Sequence, residues 1–399
     1  MGEAIADRNR HGDALFRYDY GPRLLPGGGA FDLWRYHAVL PRPAGEVRYP
    51  LKVGGTPLRA VPELRRRWGL PGLWLKDETA GPSASNKDRA TALVLDDGLR
   101  RGASVITTSS TGNAAISTAV GAAAAGMAAV IFVPDTCRPE KVRVMAANGA
   151  HVFGVRQGYR AAFDLSRTLA ARYGWLDRNT GANPLTIEAK KTVAWEIWEQ
   201  LGRRAPDAVV APVGDGPTLV GVAKGFRELV ACGAIDALPR VIGVQAAGCA
   251  PLADAFAGRT GVPADPGATV ADGIAVPQPA IAGWTLDEVT WSAGGFVTVT
   301  DADLAAAAED LRRYAGVSAE PAGAAAAAGA RNACPAGLLA TAETVVALVT
   351  GSDTTQPPRP GVPEGSVWTV DADPAAVIRI LAGILPATCL TAVAEEGGQ

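Results

Sequence analysis

The sequence predicts an α/β protein with open parallel sheets in two domains. Three observations predict it. From residue 103 onward strand-like and helix-like runs alternate, the pattern of parallel strands joined by crossover helices. The chain has 399 residues, enough for two domains and a large buried core. Hydrophobic residues make up 48%, the share of a globular chain rather than a disordered one.

Residues 1 to about 50 are mixed and rich in Arg, Gly and Pro, and are expected to form an arm on the main body. A short apolar run then ends at Leu75, turn residues come next, and Lys87 opens a helix-like stretch through 90–95. Residues 105–108 read as a strand, 114–126 as a helix, 128–133 as a strand, 139–148 as a helix, 151–155 as a strand and 161–172 as a helix. A second block has a helix at 189–201, a strand at 208–212, a helix at 218–231 and a strand at 241–245. Helices at 302–314 and 322–330 lead to a strand at 345–349. No internal repeat is evident. The alanine run at 324–328 reads as packed helix, and the tail after Leu390 as frayed.

Composition narrows the function. A formal net charge of −2 gives no reason to expect nucleic acid or an anionic membrane as partner. The apolar run at 119–133 is interrupted by Gly121 and Gly126 and ends at Pro134, so no membrane span is expected. Residues 1–8 lack the apolar core of a signal peptide, and a cytoplasmic protein is the expectation. The five cysteines are scattered without a Cys-x-x-Cys, and the three histidines lie far apart. Neither a disulfide framework nor a metal site is expected.

Four segments at strand ends carry the chemistry. Lys87 sits in Ser85-Asn86-Lys87-Asp88-Arg89, at a strand-to-helix junction where a lysine can face a cleft. Beside an aldehyde cofactor it becomes a Schiff-base nucleophile. Ser109-Ser110-Thr111-Gly112-Asn113 separates a strand from an alanine-rich helix. Val213-Gly214-Asp215-Gly216-Pro217-Thr218 does the same, and backbone amides at such a helix start suit a phosphate. Val349-Thr350-Gly351-Ser352 ends a buried-type strand in hydroxyl residues. Each has an ordinary alternative: a solvated helix-end lysine, a Ser or Thr N-cap, a plain turn. The glycine loop lacks both Gly-x-Gly-x-x-Gly and a Walker lysine, which disfavours a nucleotide.

In this fixed order, with Gly54-Gly55-Thr56-Pro57-Leu58 before and Ala319-Glu320-Pro321-Ala322-Gly323-Ala324 late in the chain, the segments resemble the fold type II family of pyridoxal-phosphate (PLP) enzymes. Threonine synthases look nearest. The resemblance runs from about Trp34 to about Ser352. It implies a large domain of residues 1–99 and 181–399, a small mobile domain of 100–180, the cofactor in the cleft between them, and a homodimer. It implies that Lys87 forms the Schiff base with PLP and moves the α-proton of an amino-acid substrate. Asn113 would meet the ring 3-hydroxyl, and Ser110, Thr111 and Gly112 the substrate carboxylate. Gly214, Asp215, Gly216, Pro217 and Thr218 would hold the phosphate, with the Asp215 side chain turned away to cap the turn. Thr350 or Ser352 would meet the pyridine nitrogen, a partner that does not force it to stay protonated and so suits elimination or replacement. Glu320 would stand near the ring. Lys76 is left structural, as a surface pair or strand-edge charge.

The chain departs from the resembled pattern at two places. In the stretch before Lys87, Asn86 stands where a phenylalanine is usual, and Pro82-Ser83-Ala84-Ser85 stands where Pro-Thr-Gly-Ser is usual. In Asn179-Thr180-Gly181-Ala182-Asn183-Pro184-Leu185-Thr186, Gly181 and Thr186 replace a serine and an arginine that help hold the phosphate of O-phosphohomoserine. Asn183 and Thr186 remain candidate substrate residues, and Lys190 could compensate if it points inward. Losing a bidentate donor worth about 1.5–3 kcal/mol per bond would weaken that substrate by roughly tens- to hundreds-fold. The expectation is a threonine-synthase-type lyase, catalysing β- or γ-elimination or replacement, with a changed substrate. A serine/threonine ammonia-lyase-like dehydratase and a non-catalytic PLP-binding homologue are the alternatives.

Overall fold

A computed structural model of the chain describes residues 5–8, 14–17, 21, 24–42, 45–180, 182–259, 265, 268–340, 343–353 and 365–393. Two compact units divide the chain: a larger one of Met1–Ala44, Lys52–Asn86 and Ile187–Thr354, and a smaller one of Gly45–Leu51, Lys87–Thr186 and Thr355–Gln399. Strands and helices are numbered along the chain.

In the larger unit β1 (Ile5–Arg8) and β2 (Ala14–Arg17) pair antiparallel. The main sheet contains β3 (Leu58–Ala60), β4 (Leu73–Asp77), β9 (Ala208–Pro212), β10 (Arg240–Ala246), β11 (Gly295–Val299) and β12 (Val345–Val349). Their order is β11-β10-β9-β12-β4-β3, and only β3 runs antiparallel to its neighbour. Around them stand α1 (Pro62–Trp68), α6 (Leu185–Glu188), α7 (Thr192–Gln200), α8 (Pro217–Ala231), α9 (Pro251–Phe256), α10 (Ala282–Trp291), α11 (Asp301–Ala315) and α12 (Pro321–Ala333).

Successive strand residues point to opposite faces, so one apolar strand feeds two cores. Ala208, Val210, Val345, Ala347 and Val349 join the core that holds α12, with Leu64, Leu304 and Leu311. Their neighbours Val209, Ala211, Val346 and Leu348 join the other, with Trp195, Trp198, Phe226 and Leu229. Tyr36 and Val39 belong to that second core, so part of the expected N-terminal arm is core. The alanine run is packed helix: Ala324 to Ala328 are all fully buried in α12. Small side chains let this helix lie close on the sheet, and a Cβ on Gly323 would overlap the carbonyl of Gly351.

The smaller unit consists of α2 (Lys87–Arg100), β5 (Val105–Ser109), α3 (Asn113–Ala125), β6 (Ala128–Pro134), α4 (Pro139–Ala147), β7 (His151–Val155), α5 (Gly158–Tyr173), β8 (Leu176–Asp177), β13 (Val367–Val370) and α13 (Pro374–Leu381). Its sheet is parallel throughout, in the order β13-β7-β6-β5-β8. Val130, Phe132, Phe153, Leu165 and Leu169 form its core with Val377 and Leu381 of α13.

This unit is broader than the 100–180 block drawn from sequence. α2 packs on α3 so closely that a Cβ on Gly121 would press on Thr91, Leu95 and Tyr49. β13 extends the sheet beside β7. The expected helix at 189–201 begins later, as α7, after a turn at 189–191 that follows the short α6. At that turn Thr192 Oγ1 donates back to the carbonyl of Ala189 at 2.6 Å. Strand β13 and helix α13 were not foreseen. The end of the tail, 394–399, lies outside the described residues.

Candidate active site

Lys87 is the first residue of α2 and is half-buried. Its helix start is held by a residue that sequence reasoning missed, Arg178, which is fully buried. The guanidinium donates from Nε to Thr91 Oγ1 (3.1 Å), from Nη1 to Thr180 Oγ1 (2.8 Å) and from Nη2 to the carbonyl of Lys87 (3.3 Å). Burial lowers its pKa to about 10, against the pull of Asp88 and Asp177, so it is charged at neutral pH. Ser117 Oγ completes the cluster, at 2.8 Å from both Asp88 Oδ1 and Thr91 Oγ1. The signal for Arg178 was a charged pair, Asp177-Arg178, directly after a strand-like Trp175-Leu176.

The Ser-Thr-Gly-Asn segment comes after β5. Ser110, Thr111, Gly112 and Asn113 are half-buried, and Asn113 opens α3. The N-cap is Gly112, with no side-chain cap, so neither hydroxyl does the N-cap work that was the ordinary alternative. Ser110 Oγ instead accepts the N–H of Gly112 at 3.2 Å. Ser109 Oγ, at the end of β5, is buried without a hydrogen-bond partner among the described residues. Asn179, also missed from sequence, pins this end of β5 by accepting the N–H of Ser109 at 2.7 Å.

In the larger unit β9 leads into the glycine loop. Gly216 is the N-cap of α8 at φ 101°, in the left-handed region, and Pro217 is the first helical residue. No side chain caps α8. Among the described residues the backbone N–H groups of Gly214, Gly216, Thr218 and Leu219 have no acceptor. Asp215 Oδ1 accepts the N–H of Ala280 at 3.2 Å, which ties the carboxylate to a neighbouring segment.

The end of β12 meets the segment that runs into Lys87. Asn86 N–H donates to Thr350 O, Ser352 N–H donates to Ala84 O (both 2.9 Å), and Ser85 bridges Gly351. Thr350 is buried, while Ser352 Oγ donates to the carbonyl of Ser318 at 2.8 Å. The N–H of Glu320 donates to Gly351 O at 3.1 Å, which sets Glu320 beside this strand end.

Asn183 and Thr186 are committed within their own loop. Asn183 Nδ2 donates to Asp177 O (2.7 Å) and its Oδ1 accepts from Leu185 N–H (3.0 Å). Thr186 is fully buried, and its hydroxyl donates to Asn183 O at 2.7 Å. Gly181 lies outside the described residues. Lys190 is buried. Lys191 is buried against Glu188 (2.6 Å) and Glu228 (2.9 Å), with Lys224 on the same two carboxylates. Burial lowers the Lys191 pKa, opposed by both glutamates.

Lys76 corrects an expectation. It is no surface pair but fully buried, its Nζ donating to Glu196 Oε2 (2.6 Å), Thr56 O (2.7 Å) and Gln200 Oε1 (2.9 Å). Glu196 also accepts the N–H of Gly55 at 2.8 Å, so the pair fixes the Gly-Gly-Thr segment. The residues that hold Lys76 lie far along the chain, which is why an apparent Lys-Asp-Glu charge run misled.

Among the described residues no helix is long and apolar enough to cross a membrane. The family described as pyridoxal-phosphate dependent enzyme matches residues 49–351. A threonine synthase of Methanosarcina acetivorans is 34% identical over 324 residues, 80% of this chain and 79% of that protein. A threonine synthase of Mycobacterium leprae is 34% identical over 344 residues, 85% of this chain and 93% of that one. Among solved structures, the processed form of threonine deaminase isoform 2 from Solanum lycopersicum has a TM-score of 0.63 at 25% identity, over 75% of this chain and 84% of that one. The residues present fit such a cofactor: uncapped amides at the start of a 15-residue helix suit its phosphate, and a lysine opens α2 for its aldehyde. The chain belongs to the pyridoxal-phosphate dependent enzyme family and is a lyase of threonine-synthase type.

Proposed function

We propose that Lys87 holds the cofactor, and that the enzyme carries out β- or γ-elimination or replacement on an amino acid other than O-phosphohomoserine. The observation that carries this reading is Lys87 at the first position of α2, directly after a segment hydrogen-bonded to the hydroxyl-ending strand β12. When bound, the cofactor supplies an aldehyde for the substrate amine and a ring that acidifies the α-proton. Lys87, once released, moves that proton. The amides of Gly214, Asp215 and Gly216 and the first turn at Pro217 and Thr218 hold the phosphate. Asn113 binds the ring hydroxyl, and Ser110, Thr111 and Gly112 orient the substrate carboxylate. Thr350 rather than Ser352 serves the pyridine nitrogen, because the Ser352 hydroxyl hydrogen is already given to Ser318.

The substrate proposal rests on Thr186. Its buried hydroxyl, bonded within its own loop, offers no cation to a substrate phosphate. Asn183 and Thr186 then act by shaping the loop. A dehydratase acting on serine or threonine is the second reading, favoured by the 25% identity to a threonine deaminase over 75% of the chain. A homodimer and a cytoplasmic location complete the proposal, to be checked by sedimentation and by cell fractionation.

The test is an absorbance titration of purified protein with O-phosphohomoserine, serine, threonine and homoserine derivatives, with product analysis. The expected result is a cofactor band that Lys87→Ala abolishes, shifted by an amino acid other than O-phosphohomoserine. A shift and threonine formation with O-phosphohomoserine at ordinary enzyme affinity would defeat the substrate proposal. Keto acid from serine or threonine would favour the dehydratase.

A further inference from the structure

Among its bonds, Asn86 makes two to different segments. Its backbone N–H donates to Thr350 O at 2.9 Å, and its side-chain Nδ2 donates to Thr218 Oγ1 at 3.0 Å. The residue is only 3% exposed, and its bond to the half-buried Thr218 is partly shielded from water.

The second bond decides what Thr218 can do. A hydroxyl has one hydrogen and two lone pairs. With the amide N–H on a lone pair, the Thr218 hydrogen must go to some other acceptor. Threonines inside helices commonly return it to the carbonyl one turn back. Thr118 does so to Ala114 O (2.8 Å), Thr285 to Ile281 O (3.0 Å) and Thr290 to Leu286 O (2.8 Å). Thr218, second in α8, makes no such bond, and among the described residues its hydroxyl has no acceptor. It stands with the backbone N–H groups of Gly214, Gly216 and Leu219, which also lack one.

We propose that Asn86 is a positioning residue for the cofactor phosphate: its amide fixes the Thr218 hydroxyl as a donor toward the phosphate oxygens. The proposal rests on the assignment of the glycine loop to the phosphate. Asn86 itself touches no cofactor atom in this role; it acts through Thr218 and, being peptide-bonded to Lys87, couples phosphate binding to the lysine.

The test compares dissociation constants of pyridoxal phosphate and of pyridoxal, which lacks the phosphate, read from the absorbance of the reconstituted full chain. In Asn86→Ala pyridoxal phosphate binding is expected to weaken about tenfold, the worth of one charge-assisted hydrogen bond, while pyridoxal binding changes by less than about threefold. Asn86→Asp reverses the bond, because a carboxylate only accepts, and is expected to weaken pyridoxal phosphate by about a hundredfold or more. Thr218→Val is expected to match Asn86→Ala, and the double variant to be no weaker than Thr218→Val alone. Thr218→Ser keeps the hydroxyl and is expected to bind like wild type, which retains a test if an Asn86 variant fails to fold. Equal losses for pyridoxal and pyridoxal phosphate, additive losses in the double variant, or a weakened Thr218→Ser would overturn the proposal while leaving the lysine assignment intact. A wild-type protein that takes up no pyridoxal phosphate, or a Lys87→Ala variant that keeps the full absorbance band, would instead overturn the parent assignment.

Discussion

The backbone N–H of Asn86 donates to the carbonyl oxygen of Thr350 at 2.9 Å. This bond holds the residue before Lys87 against a strand end whose own hydroxyl is uncommitted among the described residues. Thr350→Val keeps the shape and removes the hydroxyl. It is expected to shift the absorbance of the bound cofactor and to lower kcat by about tenfold or more, a loss of about 1.4 kcal/mol. Ser352→Ala removes the bond to Ser318, with an expected stability loss of about 1 kcal/mol and an unchanged spectrum. Spectra and kcat of the two variants side by side decide, and equal spectral shifts would count against Thr350.

The glycine loop separates two glycines by geometry. Gly216 has φ 101°, and a Cβ there would overlap Thr285 Oγ1. Gly214 has no left-handed φ, and its Cβ would come no closer than 3.1 Å to Val276 Cγ2. Gly216→Ala is therefore expected to cost about 2–4 kcal/mol from strain and overpacking, and Gly214→Ala clearly less. Urea midpoints of the two variants check the order.

The Lys76–Glu196 pair is fully buried on both sides, at 2.6 Å. Removing one partner leaves the other as an uncompensated charge. Lys76→Met is expected to lose about 3–5 kcal/mol, and Lys76→Met with Glu196→Leu to recover part of it. Thermal melts of the single and double variants measure this. A double variant less stable than the single one would show that the carboxylate's bond to Gly55 outweighs the stranded charge.

His151 on β7 lies 6.0 Å from the Trp368 ring of β13, and among the described residues its buried Nδ1 has no hydrogen-bond partner. Burial lowers its pKa below the ordinary 6.5. The folded state then resists protonation more than the unfolded state. Below pH 6.5 the unfolded chain takes up the proton first, so stability falls as pH drops from 6.5 to the lowered folded value, and the loss levels off beneath it. His151→Phe is expected to remove that part of the acid sensitivity, seen as a smaller change in urea midpoint between pH 7.5 and pH 5.5.

The strand-end motifs were legible because local chemistry writes them. Apolar runs predict strands, glycines and hydroxyls mark the turns at their ends, and Lys87, Asn113 and Gly216 all open or cap helices as their neighbours require. Arg178 was not legible, because its importance comes from burial beside Lys87 and Thr91, about ninety residues earlier in the chain. Lys76 was misread for the same reason. Its partner Glu196 is 120 residues away, and nothing local to Lys-Asp-Glu separates a buried ammonium from a solvated one. The segment Val367-Trp368-Thr369-Val370 did carry a usable signal, since Asp373 and Pro374 stand just after it as a cap and a first helical residue.

The sequence alone determined the α/β class and the order of the cofactor-type segments, and it pointed to Lys87 as the candidate lysine. Periodicity and turn residues are local, and they survive in one dimension. Only the tertiary structure decided which hydroxyls are already spent, that Thr186 is sealed inside its loop, and that Asn86 reaches both Thr218 and Thr350. The Asn86 bonds join residues more than a hundred positions apart, and which side chains end up buried or spent depends on which faces the fold brings together, which no local pattern encodes.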